Sequence, residues 1–359
     1  MSEKFKNWLD MLLFFRDSTS NREPMTEFFF ESFAENPQDF YQFILFLKKQ
    51  VQQGGELKKN ILLAKRYLEI LSPLCGRFGF YHAKVGMDDL CFNIVHPGKY
   101  LSIDRKLMAY KKKWKKILSA ILKSLKQTLE KKGLNLRIQG RYKNIYSIYK
   151  KMQKNPHRDI DRIHDIFAFR VITQQGNTEE CFEILSMLHD HFLPIASRFK
   201  DYITIPKING YQSLHTGLLN VCPQYKGPVE VQIRTQEMHE FAEKGLAAHW
   251  IYGREKKSNR PPDREKKMLE YFSHLSGISR EEKHVHCFSY NGDIFRMKKG
   301  SSVIDFAHRI HSRLSKMALF AKVNEQSVAL HYEIQNGDRI EIMTQSPSAE
   351  PSTIPHFAS

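Results

Sequence analysis

VEVQIRT, residues 229–235, alternates without a break: Val229, Val231 and Ile233 fall on one side of a period-2 strand, and Glu230, Gln232 and Arg234 on the other. The apolar side needs a core. The polar side lays a carboxylate, an amide and a guanidinium in a row. Upstream, Asp165 directly precedes IFAFRVI (166–172), a second strand with an apolar run. If the two strands are neighbours, Asp165 and Glu230 can share a hard cation such as Mg²⁺, which takes only one or two carboxylates and keeps water and phosphate oxygens besides.

Around this pair the pattern is mixed α/β from Leu136 to Tyr252: EECFEILSMLHDHF (179–192) has helical spacing, RFKDYITI (198–205) and LHTGLLNV (214–221) read as strands, and a helix ending in FAEKGLAAHW (241–250) closes the unit. The residues before it, 1–100, are helical in pattern, as in FYQFILFLKK (40–49) and ILLAKRYLEILSPL (61–74), with breaks at Gly54-Gly55 and Pro97-Gly98. Residues 101–135 form a lysine-dense connecting helix. Its Trp114, Leu118, Ile121, Leu125 and Leu129 make one apolar stripe for docking on a neighbour, with the lysines in solvent. After the mixed α/β unit at 136–255, a charged, Pro-paired linker covers 256–283. Residues 284–344 combine an Asn291-Gly292 hairpin signal, a Ser302/Asp305 capping box and two further strands, FAKVN and DRIEIMT, in a small α+β grasp; 345–359 reads as a disordered tail.

Composition narrows the partners. The chain has 359 residues, 41% hydrophobic with 25 Phe and 15 Tyr, so it folds into two or three globular domains. Its 56 basic against 39 acidic side chains leave a net charge of +17, which favours polyanions such as nucleotides or RNA. The five cysteines are far apart and carry no C-x-x-C, so they predict buried thiols in a reducing compartment rather than a disulfide framework or a zinc site. The start lacks a cleavage signal, with Asp10 interrupting its short apolar patch, and no stretch is long enough to span a membrane; the expected location is the cytoplasm, with no DNA and no membrane partner.

Two further segments suit a nucleotide. RIQGRYKNIYSIYKKM (137–152) interleaves Arg141, Lys143, Lys150 and Lys151 with Tyr142, Tyr146, Ser147 and Tyr149, a mix able to grip phosphates and stack a base. In FKDYITIPKINGYQSLHT (199–216), Lys200 and Tyr202 share a strand face, Asn209-Gly210 makes a turn, and Lys207, Tyr211 and His215 flank it. No glycine-rich phosphate loop occurs, so side chains must hold the phosphates.

GRYKNIYSIYKKM, DIFAFRVI, RFKDYITIPKINGYQSLHT, VEVQIRT and MHEFAEKGLAAHW resemble, in order and spacing, the synthetase domain of the RelA/SpoT homologues, the (p)ppGpp alarmone enzymes. Residues 284–344 resemble the TGS domain of the long members, and YLEILSPLCGRFGF with HPGKY resembles the back end of their hydrolase domain. The resemblance implies a nucleotidyltransferase-like mixed sheet flanked by helices, within an α+β multidomain chain. It implies transfer of the β,γ-pyrophosphate of ATP to the 3′-hydroxyl of GDP or GTP with Mg²⁺, releasing AMP. Arg141, Lys143, Ser147, Lys151 and Arg170 would bind ATP. Lys200, Tyr202, Lys207, Asn209, Tyr211 and His215 would bind the acceptor, with Tyr211 stacked on guanine. Asp165 and Glu230 would hold the metal, and Glu230, Gln232 and His215 would serve the chemistry. In the TGS-like unit, His311 matches a contact to the tRNA 3′ end on the ribosome. Arg198-Phe199-Lys200-Asp201 matches a basic signature that accompanies hydrolase-bearing members, yet residues 1–100 hold only His82 and His96 as histidines, too few for the hydrolase's metal cluster. They are expected to be a hydrolase-dead remnant with a scaffolding role. The alternatives are a catalytically inactive nucleotide sensor or tRNA/ribosome-binding regulator, and a nucleotidyltransferase that releases pyrophosphate instead of AMP.

Overall fold

The computed structural model describes residues 3–15, 19–34, 36–130, 133–154, 160, 163, 166–174, 177–207, 209–244 and 284–344. Asp165, the expected linker and the expected tail lie outside the described residues.

The chain divides into two compact units. The larger contains helices α3 (Pro37–Gln53), α4 (Leu57–Arg66), α5 (Ser72–Arg77) and α6 (Tyr81–Val95), then the 33-residue α7 (Pro97–Leu129) and a mixed sheet. Gly54, at φ +69, ends α3 as the Gly-Gly break predicts. The break at Pro97-Gly98 is only one residue wide, because proline suits the first turn of α7.

The sheet runs β1 (Leu136–Tyr142), β2 (Phe167–Thr173), β6 (Val229–Thr235), β5 (Leu214–Leu219) and β3 (Leu193–Pro194), with β4 (Lys200–Asp201) also on β5; β2 and β6 are parallel and the other pairs antiparallel. One face is core. Phe167, Phe169, Val171, Leu214, Leu218, Val229, Val231 and Ile233 pack with Ile121, Leu125 and Leu129 of α7 and with Cys181, Ile184 and Leu188 of α9 (Thr178–His191). The lysine-dense helix thus docks through the stripe its spacing marks. Helices α8 (Ile145–Lys154) and α10 (Gln236–Lys244) belong to the same unit, α10 setting Met238 in the core and Glu243 on Arg170.

RFKDYITI departs from the expected strand. Only Lys200 and Asp201 pair with β5, because Asp201 Oδ1 accepts from the backbone N–H groups of Ile203 and Thr204, each at 2.9 Å, and turns the chain.

The smaller unit corrects the expectation that residues 1–100 form one helical domain. Helices α1 (Glu3–Phe14) and α2 (Thr19–Ala34) belong with the C-terminal residues instead. Phe14 meets Phe288 edge-on and lies under the Arg339 guanidinium at 3.4 Å, Asn21 Nδ2 donates to Asp293 Oδ1, and Glu27 pairs with Arg296 at 3.0 Å. An aromatic, hydrogen-bonded and ionic seam of that kind outweighs mere nearness in sequence. The C-terminal residues form a five-stranded sheet ordered β10 (Gln326–Val328), β9 (Ala318–Val323), β11 (Arg339–Thr344), β7 (His284–Ser289), β8 (Ile294–Lys298), with helices α11 (Val303–Ile310) and α12 (Ser312–Met317). The Ser302/Asp305 capping box opens α11, and Gly292 at φ +82 turns the β7–β8 hairpin, both as the sequence predicts.

Candidate nucleotide site

Strand register assembles the site. Gln139 faces Arg170, Arg170 faces Gln232, Gln232 faces His215 and His215 faces Lys200, so one polar row crosses β1, β2, β6, β5 and β4. Five of the sheet's strands each give one side chain to that row. Glu230 and Arg234 lie two residues to either side of Gln232 on the same face of β6. The alternation of VEVQIRT holds, with Val229, Val231 and Ile233 fully buried.

At the centre, Gln232 Nε2 donates to Glu230 Oε1 at 3.1 Å, and His215 Nδ1 stands 3.8 Å from the same oxygen. Tyr211 Oη and His215 Nε2 share a 2.8 Å hydrogen bond, and Tyr202 meets the His215 ring edge-on at 5.3 Å. Burial, reinforced by Lys207, Arg234 and Lys200, lowers the His215 imidazole to about 4. His215 is therefore neutral at pH 7 and serves as a hydrogen-bonding group beside the Glu230 carboxylate.

The acceptor wall is organised by aromatic and amide contacts. Lys207 Nζ sits over both Tyr202 and Tyr211, 4.4 and 5.0 Å from the ring centroids. Burial and the nearby Lys200 hold its ammonium below the usual lysine range. The Asn209-Gly210 turn forms with Gly210 at φ +73, but Asn209 is buried and its Nδ2 donates to Gly76 O at 3.0 Å and Tyr81 Oη at 2.9 Å. The amide that the resemblance gives to guanine is thus tied to the preceding helices. Lys200 is exposed, and Arg198 lies across Gly217, where an added Cβ would stand 2.9 Å from its side chain.

Of the residues expected to bind ATP, Arg141 is the penultimate residue of β1, Lys143 lies just beyond that strand, and Ser147 and Lys151 ride on α8. The first turn of α8 is capped from another element: Asp89 of α6 accepts from Tyr146 N at 2.8 Å, Ile145 N at 3.3 Å and Asn144 Nδ2 at 3.0 Å. Arg170 is buried and pairs with Glu243 of α10 at 2.8 Å. His311 is exposed at the junction of α11 and α12, in the other unit.

The residues fit a hard cation only in part. Among the described residues no cluster of three His, Cys, Asp or Glu side chains forms a metal cage. Mg²⁺ needs no such cage, and Glu230, half-buried on the polar row, is a suitable single carboxylate. Strands β2 and β6 are parallel neighbours, and Asp165, expected to share the cation with Glu230, lies outside the described residues.

Asp89, Tyr81, Arg234 and Glu243 escape a reading of the sequence as site residues. Arg234 carries a signal, its place on the polar face of VEVQIRT; the other three act across elements distant in the chain.

Known proteins resemble the chain in two regions. The region found in RelA / SpoT proteins matches residues 140–257, and a TGS domain matches 285–344. A GTP pyrophosphokinase from Myxococcus xanthus is 37% identical over 309 residues, 82% of this chain and 40% of that protein. The bifunctional (p)ppGpp synthase/hydrolase SpoT of Escherichia coli is 33% identical over 308 residues, 82% of this chain and 43% of its own length. The chain thus spans less than half the length of these relatives. Small alarmone synthetase 1 from Bacillus subtilis, solved with its product pppGpp, aligns with 50% of this chain and 94% of its own at 22% identity and a TM-score of 0.30. The chain therefore carries a RelA/SpoT region followed by a TGS domain.

Proposed function

We propose that the chain is a (p)ppGpp synthetase, a GTP diphosphokinase that moves the β,γ-pyrophosphoryl group of ATP to the 3′-hydroxyl of GDP or GTP. The observation that carries this is the polar row with Glu230 at its centre, flanked by an aromatic and cationic wall on one side and by an arginine and lysine set on the other, inside a RelA/SpoT region. A binding module has no use for the carboxylate and the two nucleotide walls together.

In this scheme Tyr211 and Tyr202 receive the guanine side of the acceptor, and Lys207 and Lys200 its phosphates. Arg141, Lys143, Ser147, Lys151 and Arg170 receive ATP. Glu230 takes the proton of the 3′-hydroxyl as that oxygen bonds to the β-phosphorus; the bond from that phosphorus to the α,β-bridging oxygen breaks, and AMP leaves. Gln232 holds the Glu230 carboxylate in place, and neutral His215 orients Tyr211. A Mg²⁺ on Glu230 and Asp165 would supply charge neutralisation for the triphosphate. Residues 37–95 act as a scaffold and not as a phosphohydrolase, and the TGS unit offers His311 to tRNA or ribosomal RNA.

Incubation with Mg²⁺, GDP or GTP, and ATP labelled in its terminal phosphate tests the proposal. Labelled guanosine 3′-pyrophosphate and AMP are expected, with loss of at least a hundredfold in Glu230→Gln, because a general base contributes about 10²–10⁴-fold. Free pyrophosphate would instead mark nucleotidyl transfer. Binding of both nucleotides without turnover, even with uncharged tRNA and ribosomes, would establish a sensor, the alternative favoured by the commitment of the Asn209 amide to Gly76 and Tyr81.

A further inference from the structure

Three guanidinium groups converge on one carboxylate oxygen. Glu243 Oε1 lies 2.8 Å from Arg170 Nη1 and 3.9 Å from both Arg141 Nη1 and Arg234 Nη2. The three arginines come from three neighbouring strands, β1, β2 and β6, and the carboxylate from the last turn of α10.

Their burial is graded. The Arg234 side chain is 1% exposed, that of Arg170 7% and that of Arg141 43%. Arg234 Nε and Nη2 and Arg170 Nε make no hydrogen bond within the protein. A buried guanidinium whose Nε and Nη2 lack hydrogen bonds calls for negative charge nearby, and among the described residues Glu243 lies within ion-pair distance of it. His239, one turn earlier on α10, adds no charge, since burial, aided by Arg234, lowers it to about 4.

The cluster thus has a fixed end and a free end. Arg234 is buried and faces Glu243 at 3.9 Å. Glu243 in turn holds Arg170 by a charge-assisted hydrogen bond and draws in half-exposed Arg141 more loosely. Without the carboxylate, three like charges would repel one another and the outer two would swing toward solvent. We infer that Glu243 is a positioning residue for the donor nucleotide, presenting Arg170 and Arg141 together, with Arg234 as its buried counter-charge. This rests on the assignment of Arg141 and Arg170 to ATP in the proposed function.

A double-mutant cycle on the full chain tests it, reading the Kd of a non-hydrolysable ATP analogue and, separately, of GDP. Glu243→Gln and Arg170→Met are each expected to weaken the analogue roughly tenfold, and the double variant by clearly less than the product of the two, since Glu243 acts in large part through Arg170. GDP binding stays within about twofold in all three. Because Glu243→Gln strands the Arg234 charge, the pair Glu243→Gln/Arg234→Met removes both, and it must still weaken the analogue. Independent, multiplying losses, an unchanged analogue Kd, or equal loss of analogue and GDP would each overturn the inference. A wild type that binds the analogue but makes no alarmone sinks the synthetase proposal while leaving this cycle readable.

Discussion

His215 shows how a single side chain ties the site to pH. Its imidazole is lowered from the ordinary 6.5 to about 4 by burial and by Lys207, Arg234 and Lys200, with the Glu230 carboxylate facing it at 3.8 Å. Between those values the unfolded chain binds the proton and the folded protein does not. The stabilisation is therefore complete above the unfolded value and is lost as pH falls toward the folded one. Comparing urea midpoints at pH 7 and pH 5, wild type should lose about 2 kcal/mol more than His215→Gln. An equal loss in both would show that His215 titrates normally in the fold. Gly217 is a second single-atom constraint: in Gly217→Ala the new methyl meets Arg198, at 2.9 Å from its side chain, so Arg198 must shift and stability should fall by about 1–3 kcal/mol in thermal unfolding. Glu230 and Gln232 were legible because strand period alone assigns a face. The depth of Arg234 was not, since the same period cannot say that α10 will cover the end of that face, and nothing near Glu243 in sequence marks it as the carboxylate that covers it.

Among elements, α8 depends on another helix for its first turn. Its N–H groups at Ile145 and Tyr146 end on Asp89, whose carboxyl is held above the usual range by burial and drawn back by those same hydrogen bonds. Asp89→Ala should cost about 1–2 kcal/mol in unfolding free energy. It should also raise KM for ATP while leaving KM for GDP in place, because Ser147 and Lys151 ride on the loosened turn. Equal changes in both constants would argue for a global effect. Strand and helix types were readable from period throughout the sheet, as LHTGLLNV and VEVQIRT show. RFKDYITI was the exception, since its apolar alternation continues past Asp201 whereas the aspartate's side chain takes the next two backbone N–H groups and bends the chain away.

For the whole molecule, the division into units follows contacts that no local pattern encodes. The first two helices join the C-terminal sheet through Phe14, Asn21 and Glu27, partners that lie about 270 residues further along. The helices from α3 onward join the larger, mixed sheet, and Tyr81 is one of their handholds on it. A cycle between Tyr81→Phe and Asn209→Ala should give a coupling of about 1 kcal/mol in denaturant unfolding. Zero coupling would remove that link between scaffold and acceptor wall.

The row Gln139, Arg170, Gln232, His215, Lys200 carries one more implication. Arg170, Gln232 and His215 each stand one residue from a core residue on the same strand, among them Phe169, Val231, Ile233 and Leu214. A one-residue slip in any of those three strands would send polar side chains into the interior and hydrocarbon onto the candidate site together. Correct chemistry and correct folding are consequently the same alignment, and a chain that finds its hydrophobic pairing has already proofread its active side chains.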